Sequence, residues 1–293
     1  MSQTNREFEA ARDDLLSIAY RMLGTVTDAE DVLQDAYIRW LQSDRSEVRS
    51  AEAYLKTIVA RLCIDRLREL ATSREQYVGP WLPEPVDASF EHNDDPERAE
   101  TISIAFLKLL ESLSPVQRAV FLLHDVFDYD FNEVAEMVDE TSANCRQHAK
   151  RARDYLAERR PRFEVVNEQH QALTHGFLNA CQTGDLDSLH KLLARDVALF
   201  SDGGGKVTAA RKPLLGADLV AKFLINVTSA AAGYGGYLPR LSTLNGQSAL
   251  LVEHEGKIVS AYVFAIIDGV IQNIFVMRNP DKLGKVRVSS PPA

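Results

Sequence analysis

Apolar positions from residue 6 to residue 77 recur at three- and four-residue spacing, the period of a helix buried along one face. Phe8, Ala11, Leu15, Ile18, Ala19, Met22 and Leu23 draw the first stripe, and Gly24 ends it as a C′ residue. Thr27 then precedes Asp28, Glu30 and Asp31, an acidic first turn suited to the helix dipole of a second helix that runs to about Leu41. After a polar loop, Gln42–Ser50, a third helix over 51–70 places Tyr54, Leu55, Ile58, Val59, Leu62, Ile64 and Leu67 on its buried side. Residues 78–100 break the pattern with Gly79, Pro80, Pro83, Pro85 and Pro96, and prolines oppose helix. This stretch reads as an extended linker. Trp81 and Leu82 in its middle predict that it docks, because mobile linkers seldom expose such residues.

Helical periodicity returns over 98–160, with informative punctuation. Ser114-Pro115-Val116-Gln117 is a capping box with proline at the first helical position, where its missing N–H costs nothing. Asp130-Phe131-Asn132-Glu133 repeats the capping pattern. A short helix, Asn132–Val138, a polar turn, Asp139–Ser142, and a basic helix, Ala143–Arg160, make a helix-turn-helix layout. From residue 163 the pattern changes again. Two helices, about 164–182 and 185–194, lead to a strand at Val197–Ser201, a glycine-rich turn, a second strand and a helix around 217–227. Asn245-Gly246, Glu255-Gly256 and Asp268-Gly269 then separate β-rich runs, which predicts a meander of about four antiparallel strands. Helices followed by an antiparallel sheet make the C-terminal part α+β. The expected division is 1–77, a linker over 78–100, 101–162 and 163–293.

Composition bounds the function. The 293-residue chain is 45% apolar and 26% charged, an ordinary globular balance. No apolar run approaches the ~20 residues of a membrane span, and the polar N-terminus has no signal-peptide pattern. The chain is therefore expected to be cytoplasmic, with no membrane partner. Cys63, Cys145 and Cys181 are scattered and read as buried thiols, so neither a disulfide framework, a metal site nor a cofactor is expected.

The net charge of −9 seems to argue against nucleic acid, but it averages unlike parts. Thr141–Arg162 carries seven bases and two acids, and Arg49–Arg74 six and three. Glu75–Glu100 and Glu111–Glu140 each carry eight acids and one base. A basic helix can be a solvated face. The helix-turn-helix spacing favours DNA, because a recognition helix needs polar and basic residues at its N-terminal end. There Arg146, Gln147 and Lys150 can share one side while Cys145, Ala149 and Ala152 face the core. Arg and Gln pair with guanine and adenine edges, and His148 suits a phosphate contact. Helix 28–41, with Asp28, Asp31, Gln34, Asp35 and Arg39 outward and Trp40 at its end, is a poor DNA surface and a candidate protein-partner surface.

These strings resemble a family. DAEDVLQDAYIRW (28–40) and AYLKTIVARLCIDRLR (53–68) resemble region 2 of bacterial RNA polymerase sigma factors, and residues 113–156 resemble region 4. A proline-rich linker with no domain between them is similar to the extracytoplasmic-function class. WLPEP (81–85), DGGGK (202–206) and NPDKL (279–283) further resemble the sigma J-like subgroup, which carries a fused SnoaL-like domain. The resemblance implies two all-α sigma domains, a three- or four-helix region 2 and a helix-turn-helix region 4, plus an α+β SnoaL-like cone with a curved antiparallel sheet.

It also implies partners: the β′ clamp helices and β flap of core RNA polymerase, and promoter DNA, with the free protein monomeric. Asp28, Asp31, Gln34, Asp35, Arg39 and Trp40 would contact polymerase. Lys56, Arg61, Asp65, Arg66 and Arg68, with the loop before them, would read and melt the −10 element, and Arg146, Gln147, His148, Lys150 and Arg151 would read the −35 element. Two departures stand out: Ala60-Arg61 where the family often has Arg-Asn, and Asp139 where the turn usually has glycine.

The C-terminal domain admits two readings. Asp202, His254 and Asp268 could serve an enzyme if they converged on one cavity, and a small-molecule ligand is left open, so a DNA-tethered sensor or enzyme is the alternative. The resemblance implies regulation without catalysis, the fused domain standing in for a separate anti-sigma factor. On that reading Trp81, Leu82, Pro83, Glu84 and Pro85 meet Asp202, Gly203, Gly204, Gly205 and Lys206 and also Asn279, Pro280, Asp281, Lys282 and Leu283.

Overall fold

The computed structural model describes residues 3–44, 48, 50–87, 90, 101–157 and 168–286. They fall into two compact units, 1–76 with 107–160 and 77–106 with 161–293.

The first unit is helical. α1 (Gln3–Leu23), α2 (Val26–Gln42) and α3 (Ala51–Glu75) pack through Leu15, Ile18, Leu33, Val59 and their neighbours. Gly24 follows α1 at φ 79°, the left-handed conformation that glycine adopts without strain. The N-cap of α2 is Thr25: its hydroxyl accepts from the Asp28 N–H at 3.2 Å. Val26 is buried, so the apolar stripe of α2 begins before its acidic turn. Tyr54 departs from the predicted buried side of α3. It is 37% exposed, and its ring packs 5.7 Å from that of Trp40.

α4 (Ile104–Leu110) precedes α5 (Pro115–Phe121), which continues through a π-helical turn, Leu122–Val126. Then come α6 (Phe131–Val138) and α7 (Ser142–Ala157), the helix-turn-helix. Both capping boxes form, at Ser114 with Gln117 and at Asp130 with Glu133. Asp139 takes the left-handed conformation, φ 58° and ψ 48°, that ends α6 in place of glycine.

In the second unit, α8 (Glu168–Thr183) and α9 (Leu186–Leu192) lead to β1 (Leu193–Asp202), β2 (Leu214–Leu215) and α10 (Ala217–Tyr234). β3 (Tyr237–Leu244), β4 (Gln247–His254), β5 (Lys257–Ile267) and β6 (Val270–Met277) form the predicted meander, and α11 (Pro280–Leu283) follows. Both central residues of its three tight turns have positive φ, as twist-matched two-residue hairpins require. The sheet order is β2-β1-β6-β5-β4-β3. It is not wholly antiparallel, because β1 runs parallel to β6. The sequence between them returns to the same end of the sheet before β6 begins, and parallel neighbours need such a long crossover.

Strand alternation splits the sheet into two buried faces. Leu199, Leu250, Phe264, Ile274 and Val276 pack with the helices α8–α10. Leu251, Ala261, Val263, Phe275 and Met277 face the other way, against Leu82, Ile104, Ala105 and Leu283. The linker therefore contributes to a hydrophobic core of the sheet unit, and this is where Leu82 docks.

Candidate functional site

The centre of the linker-bound face is Asp202, the last residue of β1, with no exposed surface. One carboxylate oxygen accepts from the Tyr77 hydroxyl at 2.6 Å and the Gly204 N–H at 3.0 Å. The other accepts from the Leu82 N–H at 2.9 Å and the Lys282 ammonium at 2.8 Å. Lys282 also donates to the Leu82 carbonyl and lies 4.0 Å over the Trp81 ring, a cation–π contact. The ion pair is desolvated, with side-chain exposures of 7% for Lys282 and 0% for Asp202. Burial and the Asp202 hydrogen bond push the Tyr77 hydroxyl above its ordinary range, so it stays protonated as a donor.

Asn279 joins the third string to the other two. Its side-chain amide donates to the Tyr77 hydroxyl at 3.0 Å and its carbonyl caps α11 through the Asp281 N–H. The N–H groups of Arg278 and Asn279 both donate to the Asp202 carbonyl, at 2.7 and 2.9 Å. Gly204, at φ 60°, has no room for a side chain, because a Cβ would enter the Asn279 amide. Lys206 and Asp281 add a surface ion pair at 2.5 Å. WLPEP, DGGGK and NPDKL thus lie against one another within the C-terminal unit. Leu82, Pro83, Glu84 and Pro85 are buried there, while Trp81 is partly covered.

Two residues of this latch carried no functional signal in the sequence. Tyr77 lies past the end of the third predicted helix, 51–70, and of α3. Asn245 reads as a turn residue, yet its side chain accepts from the Val86 N–H at 3.0 Å and donates to the Ile102 carbonyl at 2.9 Å. Its backbone N–H also donates to the Val86 carbonyl. Asn245 thereby binds both Val86 and Ile102 across more than a hundred residues.

In the helical unit, α2 exposes Asp31, Gln34, Asp35 and Arg39 on one face together with Ile38 (44%) and Leu41 (48%), large apolar groups that suit a protein partner. Asp28 stands beside that face and accepts from Arg66 at 2.8 Å. Trp40 is a correction. It is 1% exposed and its indole N–H donates to the Thr4 carbonyl at 3.2 Å, so it is a core anchor of α1–α2 and offers no contact surface. The helix stripe that buries Ala29, Val32, Leu33 and Ala36 carries Trp40 inward with it.

On α3, Lys56 is mostly buried and pairs with Glu52 at 2.5 Å; the neighbouring Tyr129 ring is 5.3 Å away. Asp65 and Arg68 pair with each other on the surface. Arg61 donates to the Glu136 and Met137 carbonyls at 2.8 and 3.2 Å, closing the C-terminus of α6 as a cation suits a helix end. Arg118, 3% exposed, donates to the Leu110 and Met22 carbonyls, and burial pushes its guanidinium down to about 10. Arg74 donates to the Leu23 carbonyl and lies beside Glu111.

α7 presents Arg146, Gln147, Lys150 and Arg151 to solvent while Cys145, Ala149, Ala152 and Leu156 are buried. His148 is partly covered, and the Arg146 guanidinium lies 5.2 Å from the Phe131 ring. Arg159, Arg160 and Arg162 and part of the loop before α3 lie outside the described residues. The candidate catalytic trio does not assemble. Asp202 is locked in the latch, while His254 at the start of β5's pairing and Asp268 beyond its end lie at opposite ends of that strand.

Residues 8–72 match the Sigma-70 region 2 family and residues 103–156 match Sigma-70, region 4. The chain is 36% identical over 290 residues to the ECF RNA polymerase sigma factor SigJ of Mycobacterium tuberculosis, covering 94% of this chain and 92% of that one. It is 30% identical over 286 residues to the probable sigma factor SigI of the same species, covering 96% and 94%. The crystal structure of SigJ superposes with a TM-score of 0.76 at 32% identity, covering 97% of this chain and 99% of that one. With a helical pair of region 2 and region 4 segments joined to a sheet domain that grips the connecting linker, this chain belongs to the extracytoplasmic-function RNA polymerase sigma factors.

Proposed function

We propose that this chain directs core RNA polymerase to specific promoters and that its own C-terminal domain, in place of a separate anti-sigma factor, sets how it does so. The buried latch on the linker carries the regulatory half of this reading. The segment that joins regions 2 and 4 in sequence is part of the C-terminal core, so the path open to it is dictated by Asp202, Lys282 and Asn245.

The exposed face of α2, Asp31, Gln34, Asp35 and Arg39 with Ile38 and Leu41, serves the β′ clamp helices, and region 4 serves the β flap. α3 serves the −10 element through Arg66, Arg68, Asp65, Lys56 and Arg61. Arg61 is occupied with the α6 carbonyls and exchanges them for DNA when the promoter binds. α7 serves the −35 element in the major groove, with Arg146 and Gln147 at base edges and Lys150, Arg151 and His148 at phosphates. No chemistry is carried out by the chain itself, and its place is with polymerase in the cytoplasm. Confined basic faces in an acidic chain predict weak binding to promoter DNA alone and tighter binding with polymerase.

Run-off transcription with purified core polymerase tests both halves. The full chain gives promoter-specific transcripts, and Arg146→Ala relaxes the base preference at one −35 position by about 1–3 kcal/mol. An equal loss on all sequences would restrict Arg146 to phosphate, and no specific transcript from any promoter would overturn the initiation role. Asp202→Asn is expected to change promoter output at unchanged polymerase affinity; unaltered output would remove the C-terminal domain from regulation.

A further inference from the structure

The sheet face away from the linker lines a half-open cavity of about 760 Å³ between α8, α10 and strands β3–β5. That volume lies in the range of small-molecule sites, roughly 300–1,000 Å³. Its walls are apolar, with Leu178, Leu224, Val227, Leu250 and Val252 among them. Polar groups converge at one side. Ser260 and Tyr262 alternate along β5 onto this face, and Arg278 reaches it from just past β6.

None of the three has its hydrogen-bonding capacity filled among the described residues. The hydroxyls of Ser260 and Tyr262 make no hydrogen bond to another described residue, and Arg278 pairs with no carboxylate among the described residues. Arg278 uses one N–H on the Thr208 carbonyl and keeps the rest of its five donors. Burial pushes the Tyr262 hydroxyl up, so it remains a donor. An apolar chamber with a cation and two hydroxyls at one side matches an apolar body with an anionic head.

We infer that this cavity is a binding site for a small carboxylic acid with an aliphatic or aromatic body, its carboxylate held by Arg278 with Ser260 and Tyr262. The site is also wired to the latch. Arg278 faces the cavity, while its own N–H and that of Asn279 hold the backbone carbonyl of Asp202, whose carboxylate forms the latch. Its guanidinium meanwhile donates to the Thr208 carbonyl, two residues past the glycine-rich loop. A carboxylate that draws Arg278 off Thr208 disturbs the same dipeptide that seats Asp202 and Tyr77, so occupancy alters the hold on the linker.

Calorimetry on the full chain, with decanoate and 2-naphthoate as probes and decanol as the uncharged control, tests the site. Decanoate is expected to bind at least about tenfold more tightly than decanol, the worth of one charge-assisted hydrogen bond. Arg278→Met, checked for an unchanged melting temperature, removes that preference; if it unfolds, Tyr262→Phe and Ser260→Ala serve instead, each weakening decanoate and sparing decanol. Failure of both acids to bind, or equal binding of decanoate by the wild type and these variants, overturns the site. The coupling is read from tryptophan emission, which decanoate shifts in the wild type and not in Trp81→Phe. Binding without a Trp81 response would overturn the coupling. Neither readout involves polymerase, so failure here is separable from failure of the sigma reading.

Discussion

The helical unit and the sheet unit solve the same problem, tying distant chain segments together, with opposite electrostatics. In the helical unit the ties are arginines donating to carbonyls at helix ends: Arg61 on α6, Arg74 on α1, and Arg118 on both α1 and α4. No counter-charge is enclosed with Arg61, whose side chain stays solvent-exposed. Such a tie can let go, because water replaces the lost partners at low cost. In the sheet unit the tie is a carboxylate and an ammonium sealed from water, each needing the other. A buried pair resists partial release, because separating it strands a charge. Arg61, proposed to meet DNA, sits on such a releasable tie, and the linker is held by the sealed one.

That contrast breaks first at Asp202. Asp202→Asn leaves the Lys282 ammonium buried beside a neutral amide, and the expected loss is about 3–5 kcal/mol of stability in denaturant unfolding. Combining it with Lys282→Met should recover part of that loss. A single variant costing under ~1 kcal/mol would show that the pair is solvated and the contrast unfounded.

Next come the arginines. Arg118→Met removes two buried charge-assisted hydrogen bonds and should cost about 2–3 kcal/mol. Arg61→Ala, at an exposed site, should cost about 1 kcal/mol or less and appear mainly as faster amide exchange at the end of α6. If Arg61→Ala destabilises as much as Arg118→Met, then Arg61 is a sealed tie too. The smallest effect belongs to the rim of the latch. The exposed Lys206–Asp281 pair should be worth under ~1 kcal/mol, with Lys206→Ala losing sensitivity to salt and little else.

Local physics was legible in the residues. Period 3.6 marked the helices, the capping boxes at Ser114 and Asp130 marked two starts, and Asp139 marked the left-handed turn. The dipeptides Asn245-Gly246, Glu255-Gly256 and Asp268-Gly269 placed the hairpins, and the exposed side of α7 followed from Cys145, Ala149 and Ala152. Each depends on neighbours within a few positions. Trp40 was misplaced because a tryptophan at the end of an amphipathic helix can face either way, and its partner, the Thr4 carbonyl, is 36 residues off.

The sequence by itself therefore determined the helices, turns and hairpins, the basic exposed face of α7 and the three strings that resemble one subgroup. The tertiary structure decided the rest. It set the parallel β1–β6 pair, the second role of Asn245 and the recruitment of Tyr77. It placed Arg61, an expected −10 contact, on the carbonyls at the end of α6. It also sorted Asp202 and Arg278, one on each face of the sheet, into latch and cavity. The physical reason is distance along the chain. A helix or turn is settled by hydrogen bonds between near neighbours, whereas a buried charge or an unpaired arginine takes its meaning from groups the fold brings in from far away.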